Sequence, residues 1–254
     1  MKLPTTIFLN CVHHTQEIFD EIEQNKGFVK NYNDVFCGQA YLEAVQKGSI
    51  GLDDVLMFSI DSAQLFERKE SDCWIYIWII LDLSPDHCYK KQFVLPGTII
   101  PGPKKPTFVE SFLYPGLHHL SALQWKGLHV WDAAQDHVFD SQLYFFLGCG
   151  DGPGLTTLSN CVGHSGKCGC CMLCSLTGWR KPGSSQYYPV LLKPDNYNVP
   201  GSNHADVNSE DIRTSTSADY VEHLRYVLES NSQAQFQSCH LETGIVGLSV
   251  LLRL

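Results

Sequence analysis

The chain has 254 residues, of which 44% are hydrophobic and 18% charged, and its formal net charge is -9. This length suits one large domain or two small ones, and the composition excludes wholesale disorder. The longest apolar run, residues 73–81, is far shorter than the roughly 20 residues needed to span a bilayer, and no secretory leader is evident. The sequence therefore predicts an intracellular, soluble protein with no membrane partner.

Apolar periodicity predicts helices and strands in mixed order. Helical patterns fall within residues 1–50, where Thr15 is a candidate N-cap, over residues 108–123 and from Ser217 onward. Strands are expected at residues 55–60, 73–81, 92–100, 128–131 and 142–147. Pro96-Gly97 interrupts the third strand pattern, and Pro115-Gly116 indicates a kink or break in the helix that follows. This order is typical of an α/β sheet layered with helices.

The last hundred residues are less regular. Residues 155–200 are rich in glycine, cysteine and proline, which predicts irregular structure, and residues 200–217 are polar and predict a loop. The chain stops directly after the apolar residues 250–252. We therefore expect the packing partner of this run to lie further on, in a longer polypeptide.

Two aspartates, Asp61 and Asp151, each follow an apolar strand pattern. In open α/β sheets, sites form outside the carboxyl ends of the strands. If the two strands are neighbours, the carboxylates would lie about 5 Å apart, and such a pair repels unless a cation neutralises it. Mg²⁺ or Mn²⁺ would suit these oxygen ligands. The alternative is that both are ordinary turn residues at strand ends.

The cysteines are clustered, since five of the 11 lie within 14 residues: Cys161, Cys168, Cys170, Cys171 and Cys174. Either Cys171-x2-Cys174 or Cys170-x3-Cys174 would let two thiolates bind one Zn²⁺, which is half of a site. Candidates for the remaining ligands are Cys161, His164, Cys168 and His204. The alternative is a group of reduced thiols in a glycine-rich segment, and the sequence leaves both open.

Two lysine pairs, Lys90-Lys91 and Lys104-Lys105, flank the third predicted strand. They are candidates for contacts with nucleic-acid phosphates, although lysine pairs also occur simply as solvated surface. The acidic net charge argues against an extensive nonspecific nucleic-acid surface but permits a local basic groove.

Five motifs follow one another across residues 33–254: SIDSAQLFERKESDCWIYIWIILDLSPDHCYKKQFVLPGTIIPGPKKP, FLYPGLHHLSALQWKGLHVWDA, GCGDGPGLTTLSNCVGHSGKCGCCMLC, YYPVLLKPDNYNV and LETGIVGLSVLLRL. Together and in this order they resemble the catalytic region of CACTA-type (En/Spm-like) transposases, particularly fungal copies. The resemblance implies a ribonuclease-H-like mixed sheet with flanking helices. It also implies a triad of acids that holds two metal ions, Mg²⁺ or Mn²⁺, for DNA strand cleavage and transfer.

By match of motif, Asp61 and Asp151 take the places of the first two acids of that triad. The segment that would carry the third acid lies beyond Leu254, and Glu242, the only acid in the last motif, is not expected to replace it. The resemblance therefore leaves open whether this chain is an active enzyme.

The cysteine motif also carries over in part. Cys170 and Cys174 match the paired cysteines of the family and are the expected Zn²⁺ ligands of this chain. Gln186 stands where relatives carry a histidine directly before the Tyr-Tyr-Pro motif, so a complete zinc site is in question.

The sequence and the resemblance together predict four segments. They are an N-terminal helical segment (1–50), an incomplete ribonuclease-H-like core (51–160), a Cys-rich zinc insertion (161–204), and a polar loop, helix and truncated C-terminal segment (205–254). The predicted function is that of a transposase, as an inactive or partial copy, with transposon-end DNA and other transposase subunits as partners and a nuclear location. Two alternatives stay open: a non-catalytic, zinc-stabilised module that binds DNA or protein, and a ribonuclease-H-like nuclease unrelated to transposition.

Overall fold

The computed structural model describes residues 10–32, 34–50, 55–64, 72–81, 83, 85–102, 106–132, 136–170, 173–202 and 204–253. In chain order the elements are α1 (Asn10–Gln24), α2 (Gln39–Gln46), β1 (Val55–Gln64), β2 (Asp72–Ile80), α3 (Pro85–Cys88), β3 (Leu95–Pro101), α4 (Glu110–Lys126), β4 (Leu128–Asp132), β5 (His137–Ser141), β6 (Tyr144–Gly150), α5 (Gly152–Ser159), α6 (Ser217–Leu228) and α7 (Gln233–Thr243). Short 3-10 helices occupy Val35–Cys37, Ser209–Asp211 and Val250–Arg253. None of the helices in these ranges is long and apolar enough to cross a membrane. The predicted mixed α/β class is confirmed.

The chain folds into two compact units, Met1–Cys149 and Gly150–Leu254, which we call unit 1 and unit 2. Unit 1 carries both sheets and the N-terminal helices, and unit 2 carries α5, α6, α7 and a long stretch of loops. The four segments expected from the sequence stay a prediction.

Unit 1 contains a four-stranded sheet with the strand order β3-β2-β1-β6. β1 pairs antiparallel with β2, from Leu56 opposite Ile80 to Gln64 opposite Asp72, and β2 pairs antiparallel with β3. The central strand β2 reads Asp-Cys-Trp-Ile-Tyr-Ile-Trp-Ile-Ile, a run of β-branched and aromatic residues that suits a pleated, largely buried surface. β4 and β5 form a separate two-stranded antiparallel sheet. β1 is therefore an interior strand, with β2 on one side and β6 on the other.

The end of β1 differs from the prediction. The apolar run stops at Ile60, but the strand continues to Gln64, and Asp61 stands opposite Ile75 within the ladder. The expectation that the strand ends before Asp61 is wrong because the ladder joins backbone groups, and polar residues can extend it past an apolar run. Asp61 thus lies three residues before the end of β1.

Both Pro-Gly pairs lie inside regular elements, and the glycine of each pair leaves space for the ring of Tyr76. A Cβ atom on Gly97 would lie 1.9 Å from Cε2 of Tyr76, and one on Gly116 would lie 2.6 Å from its hydroxyl oxygen. The Thr98 hydroxyl donates a hydrogen bond of 3.1 Å to the same hydroxyl. β3 includes Pro96-Gly97, but its ladder with β2 shifts register there, with Tyr76 opposite Thr98 and Ile77 opposite Pro96, so the pair interrupts the ladder and not the strand. α4 runs through Pro115, so the predicted break of this helix is wrong, and the kink stays a prediction.

The main core of unit 1 is formed by helices and by the sheet. Ile18, Tyr41 and Ile79 are buried in it, and the ring of Phe146 from β6 packs edge-on against Tyr41 at 5.5 Å. The proposed N-cap Thr15 lies inside α1 instead, because the helix begins at Asn10. Its hydroxyl is buried and shares a hydrogen bond of 2.9 Å with the Tyr41 hydroxyl. A polar side chain on the apolar face of α1 is thus satisfied by a partner on α2.

Unit 2 is organised around the C-terminal end of α5. The terminal stretch returns to this end: Val162 N–H donates to Gly244 O (2.8 Å), Val246 N–H donates to Asn160 O (2.9 Å), and the buried Ser249 hydroxyl donates to Leu158 O (2.7 Å). Val250, in the last apolar run, is buried as well. Leu252 of the same run is 51% exposed, so the expectation of a further packing partner for this run stays a prediction. The expectation of irregular structure from residue 155 is wrong, since α5 extends to Ser159.

A small apolar core completes unit 2. Leu224 and Val227 of α6, Cys239 of α7 and Ile245 are buried together, and Ile245 has no solvent-exposed area. The start of α6 is fixed by a capping box, in which the Thr216 hydroxyl accepts from Asp219 N–H and the Asp219 carboxylate accepts from Thr216 N–H. The predicted helix from Ser217 is confirmed, whereas α7 was not predicted.

Candidate functional site

The first candidate acid, Asp61, belongs to unit 1. Its backbone lies in β1, the strand between β2 and β6, and its side chain lies outside the described part of the structure. The expected meeting of the two carboxylates therefore stays a prediction.

The second candidate acid, Asp151, is the residue that follows β6. It is the N-cap of α5, and its Oδ1 accepts a hydrogen bond of 2.7 Å from the backbone N–H of Gly154. Pro153 within the first turn suits this helix start, since proline has no N–H to leave unsatisfied there. The residue is solvent-exposed, and Oδ2 makes no hydrogen bond to the described residues. Asp151 thus has a structural role as a cap and one carboxylate oxygen available for a ligand.

A metal ion would need more ligands than the described part of the chain brings together. Among those residues, no three His, Cys, Asp or Glu side chains are grouped so that they could hold one. The carboxylate of Asp61 is not among them, so the Mg²⁺ or Mn²⁺ site expected from the sequence stays a prediction.

Of the cysteines, Cys170 and Cys174 face each other. Their thiols are hydrogen-bonded, and burial, followed by this hydrogen bond, raises the pKa of Cys174. Leu173 N–H donates to Cys170 O (2.9 Å), and Leu173 has φ of 51°, so the chain turns tightly enough to bring residues i and i+4 together. Cys171, the other sequence candidate for this pair, lies outside the described residues. If the predicted Zn²⁺ were bound, the pair would supply two of the four ligands that a structural Zn²⁺ takes.

The other proposed zinc ligands are engaged elsewhere in unit 2 or face solvent. The Cys168 thiol donates to the backbone oxygen of Glu242 (3.2 Å), and the Cys161 thiol donates to Ser159 O (3.6 Å). Burial raises the pKa of both thiols. Because both thiols donate hydrogen bonds to backbone oxygens, these two cysteines have a packing role within unit 2.

The two histidine candidates differ from each other. His164 is exposed. His204 packs against Trp179 at a ring distance of 5.3 Å, and its Nε2 is buried without a hydrogen-bond partner in the described part of the chain. Neither belongs to a cluster of three candidate ligands among the described residues, so the complete zinc site stays a prediction.

The lysine pairs are described in part. Lys90 and Lys91 follow α3 and are exposed, as expected of residues that could contact phosphates, whereas Lys104 and Lys105 lie outside the described residues. The nucleic-acid role of these four lysines stays a prediction.

Glu242 lies near the end of α7 and is used within unit 2. Its carboxylate accepts hydrogen bonds from the hydroxyls of Tyr226 (3.2 Å) and Ser238 (3.0 Å). Hydrogen bonding to Cys239 and then to Glu242 raises the pKa of Tyr226 to about 12. These contacts make Glu242 part of the α6–α7 packing, and the expectation that it does not act as the third acid stays a prediction.

Two features of unit 2 were missed from the sequence. One is the capping role of Asp151, which Asp followed by Gly-Pro could have indicated. The other is a short hairpin between Trp179 and Tyr188, held by an isolated antiparallel bridge. Its pattern was present as aromatic residues at both ends of a segment with the basic pair Arg180-Lys181.

Residues 60–182 match the model of the transposase family tnp2. This match supports a transposase family. It begins one residue before Asp61, includes Asp151 and the Cys170–Cys174 pair, and ends before Glu242. No curated protein and no solved structure matched the chain.

Proposed function

We propose that this chain carries the catalytic region of a CACTA-type DNA transposase with a ribonuclease-H-like core, in which Asp61 and Asp151 act together on transposon-end DNA. The family match supports the transposase part of the proposal, because it spans both aspartates. The CACTA type rests on the sequence motifs around them, and a nuclear location would follow from it.

The order of the strands carries the catalytic part of the proposal. β1 bears Asp61 and neighbours β6 in the sheet, and Asp151 is the residue directly after β6. Asp61 and Asp151 are 90 positions apart in sequence, and the sheet makes neighbours of the strand that bears the first and the strand that precedes the second. The adjacency of β1 and β6 is the observation that supports the joint role proposed for the two aspartates.

The donor set suits a hard divalent cation. Carboxylate oxygens are preferred by Mg²⁺ and Mn²⁺, and Asp151 is exposed with Oδ2 available while Oδ1 holds the helix cap. When bound, two such ions supply an activated oxygen nucleophile and stabilise the leaving oxygen of a phosphodiester. The cap fixes the Asp151 side chain in one orientation, so this carboxylate needs little reorganisation to receive a cation.

The proposal is tested by Mn²⁺ binding to the purified chain, followed by electron paramagnetic resonance or calorimetry. Asp61→Asn and Asp151→Asn should each weaken binding by at least about tenfold, the loss that even an outer-shell change at a metal site produces. The double variant should lose little more than either single variant, because both residues serve one site. Asp195→Asn, a change at an exposed acid elsewhere in unit 2, should leave the affinity unchanged.

Unchanged Mn²⁺ affinity in both single variants would overturn the proposal. Cleavage of a labelled terminal-repeat duplex with Mg²⁺ or Mn²⁺ provides a second measurement. Because no third acid is assigned and Glu242 is held by Tyr226 and Ser238, we expect this chain to cut and join DNA weakly by itself. Efficient strand transfer that depends on Asp61 would refute the expected weak activity and would still support the metal site.

The paired thiols favour a second candidate function, a non-catalytic module stabilised by zinc. The observation that supports this second candidate is the contact between Cys170 and Cys174. It predicts that the purified chain contains about one Zn²⁺ and that Cys174→Ser removes the metal and unfolds the surrounding loops. Cys239→Ser, at a buried cysteine outside this pair, should keep the zinc. A chain without zinc that is folded equally well with Cys174→Ser would eliminate this candidate.

A further inference from the structure

The charge of one segment of unit 2 is opposite to that of the whole chain. Residues 152–194 contain four basic residues, Lys167, Arg180, Lys181 and Lys193, and no aspartate or glutamate, whereas the chain as a whole has a net charge of -9. A local excess of positive charge in an acidic protein marks the surface on which an anionic partner is most strongly attracted. Two of these residues, Arg180 and Lys181, are adjacent in sequence.

Arg180 and Lys181 lie on a short hairpin that we call the basic hairpin, residues 179–188. At its base, Trp179 N–H donates to Tyr188 O (2.9 Å) and Tyr188 N–H donates to Trp179 O (2.7 Å). At its tip, Ser184 N–H donates to Lys181 O (3.0 Å). Both basic side chains are exposed. The hairpin therefore presents two adjacent positive charges to solvent on a closed turn.

The base of the basic hairpin is anchored to the rest of unit 2. The Trp179 indole N–H donates to the Ser202 hydroxyl (2.8 Å), and the ring of Tyr197 packs edge-on against it at 5.0 Å. Next to the base, Gly178 N–H donates to Lys167 O (2.6 Å), and on the returning strand Tyr187 N–H donates to Ser165 O (2.9 Å). Contacts on both sides hold the hairpin in place, so a partner would bind it with a small loss of conformational entropy.

The two charges are available for a partner. The guanidinium of Arg180 lies over the ring of Tyr187, 5.2 Å from its centroid, which orients the planar group while leaving its N–H donors free at the edges. Within the described part of the chain, neither Arg180 nor Lys181 forms an ion pair with a carboxylate. An arginine held over an aromatic ring and a neighbouring exposed lysine supply the positive charge and N–H donors that contact nucleic-acid phosphates.

We propose that the basic hairpin, through Arg180 and Lys181, binds the phosphate backbone of DNA. The inference rests on the proposed function, which supplies DNA as the partner, and it adds a contact surface distinct from the lysine pairs of unit 1. Aromatic residues interleaved with the basic ones favour a nucleic acid over an acidic protein. The contacts are to phosphates, so they would position DNA without selecting its sequence.

The test is DNA binding measured by fluorescence anisotropy in EDTA, where no metal-dependent chemistry takes place. The full chain is titrated against a short duplex of arbitrary sequence over a range of salt concentrations. Arg180→Gln with Lys181→Gln should weaken binding on the order of tenfold and reduce the slope of log K against log salt by about 2, because each phosphate contact contributes about 0.9. Arg180→Lys with Lys181→Arg keeps both charges and should retain most of the slope.

A matched control removes the same net charge elsewhere. Lys30→Gln with Lys47→Gln changes two exposed lysines of unit 1 and should leave the salt slope within experimental error of the unmodified chain. An unchanged slope for the hairpin variant, an equal effect of the control, or competition by polyglutamate as effective as by DNA would each overturn the inference. Absence of DNA binding by the unmodified chain would overturn it as well.

These outcomes separate the inference from the proposed function. Binding in EDTA does not depend on Asp61 or Asp151, and Mn²⁺ affinity in the absence of DNA does not depend on Arg180 or Lys181. If the hairpin variant binds DNA normally while Asp61→Asn loses Mn²⁺, the inference fails and the proposed function stands. If the hairpin variant loses DNA while Asp61→Asn binds Mn²⁺ normally, the basic hairpin is supported and the proposed metal site fails.

Discussion

Apolar side chains from helices and a sheet bury one another in unit 1, whereas unit 2 relies on a smaller core together with hydrogen bonds between loops and helix ends. Tyr41 and Ile79 are examples of the first kind of contact. The bond from the Ser249 hydroxyl to Leu158 O and the bond from the Cys168 thiol to Glu242 O are examples of the second. Unit 2 therefore depends on a few residues, each of which satisfies a particular backbone group or fills the small core.

Among single substitutions, we expect the greatest loss of stability at Ile245. Ile245→Ala leaves a cavity among Leu224, Val227 and Cys239, and it should lower the free energy of unfolding by about 2–5 kcal/mol, measured by urea unfolding. The control is Val246→Ala at the neighbouring residue, which is 40% exposed and should change stability by no more than about 0.5 kcal/mol. Equal effects at the two positions would contradict the small core as the main apolar support of unit 2.

The next effect tests the close packing of unit 1. Gly97→Ala forces a methyl group against the buried ring of Tyr76 and should destabilise the chain by about 1–3 kcal/mol in the same measurement. Gly152→Ala in unit 2 is the matched change, since no atom beyond its neighbours lies within 4 Å of the added Cβ, and it should be close to neutral. If both changes are neutral, the explanation given for the Pro-Gly pair in β3 fails.

A smaller effect separates the two roles of Asp151. Asp151→Ala removes the cap of α5 and should cost about 0.5–2 kcal/mol, whereas Asp151→Asn keeps a capping oxygen and should be nearly neutral for stability. Both changes should weaken Mn²⁺ binding, because neither side chain carries a negative charge. Strong Mn²⁺ binding by the Asn variant would leave Asp151 with the capping role alone.

The smallest effect concerns pH. The pKa of Tyr226 is raised from its ordinary value of 10.0 to about 12, so the folded chain keeps this proton at pH values where the unfolded chain loses it. The resulting stabilisation is complete below pH 10 and is lost as the pH rises from 10 to about 12. The melting temperature of the unmodified chain should therefore fall over this pH range, and the melting temperature of the Tyr226→Phe variant should fall less steeply. Tyr32→Phe, at a tyrosine that is 75% exposed, should show the unmodified profile.

The sequence predicted the elements in which the pattern of apolar side chains is clear. The β-branched and aromatic run of β2 and the apolar face of α6 both lie where the pattern indicated. It did not predict α7, where apolar and polar residues show no clear face, or the continuation of β1 to Gln64, where backbone pairing persists after the apolar run ends. Element type follows from local periodicity, but element boundaries follow from pairing with residues that are distant in sequence.

For the candidate site, motifs in the sequence selected Asp61, Asp151 and the Cys170–Cys174 pair. The two cysteines are in contact, and this contact could be anticipated because their spacing of four residues fits a tight turn. The roles of Cys161 and Cys168 could not be anticipated, since their partners, Ser159 O and Glu242 O, are set by how the terminal segment returns to α5. The basic hairpin was missed because residues 179–188 show neither helical nor strand periodicity, and a single bridge between Trp179 and Tyr188 closes it.

The mixed α/β class could be read from the sequence alone, as could the motifs that indicate a transposase and that select two candidate aspartates and a candidate cysteine pair, because these depend on residue type and short spacing. Only the tertiary structure decided that Gly97 and Gly116 make room for one tyrosine ring, that β1 neighbours β6, and that the last residues pack on α5. Such contacts join positions far apart along the chain, and they form because buried groups must fill space and satisfy their hydrogen bonds.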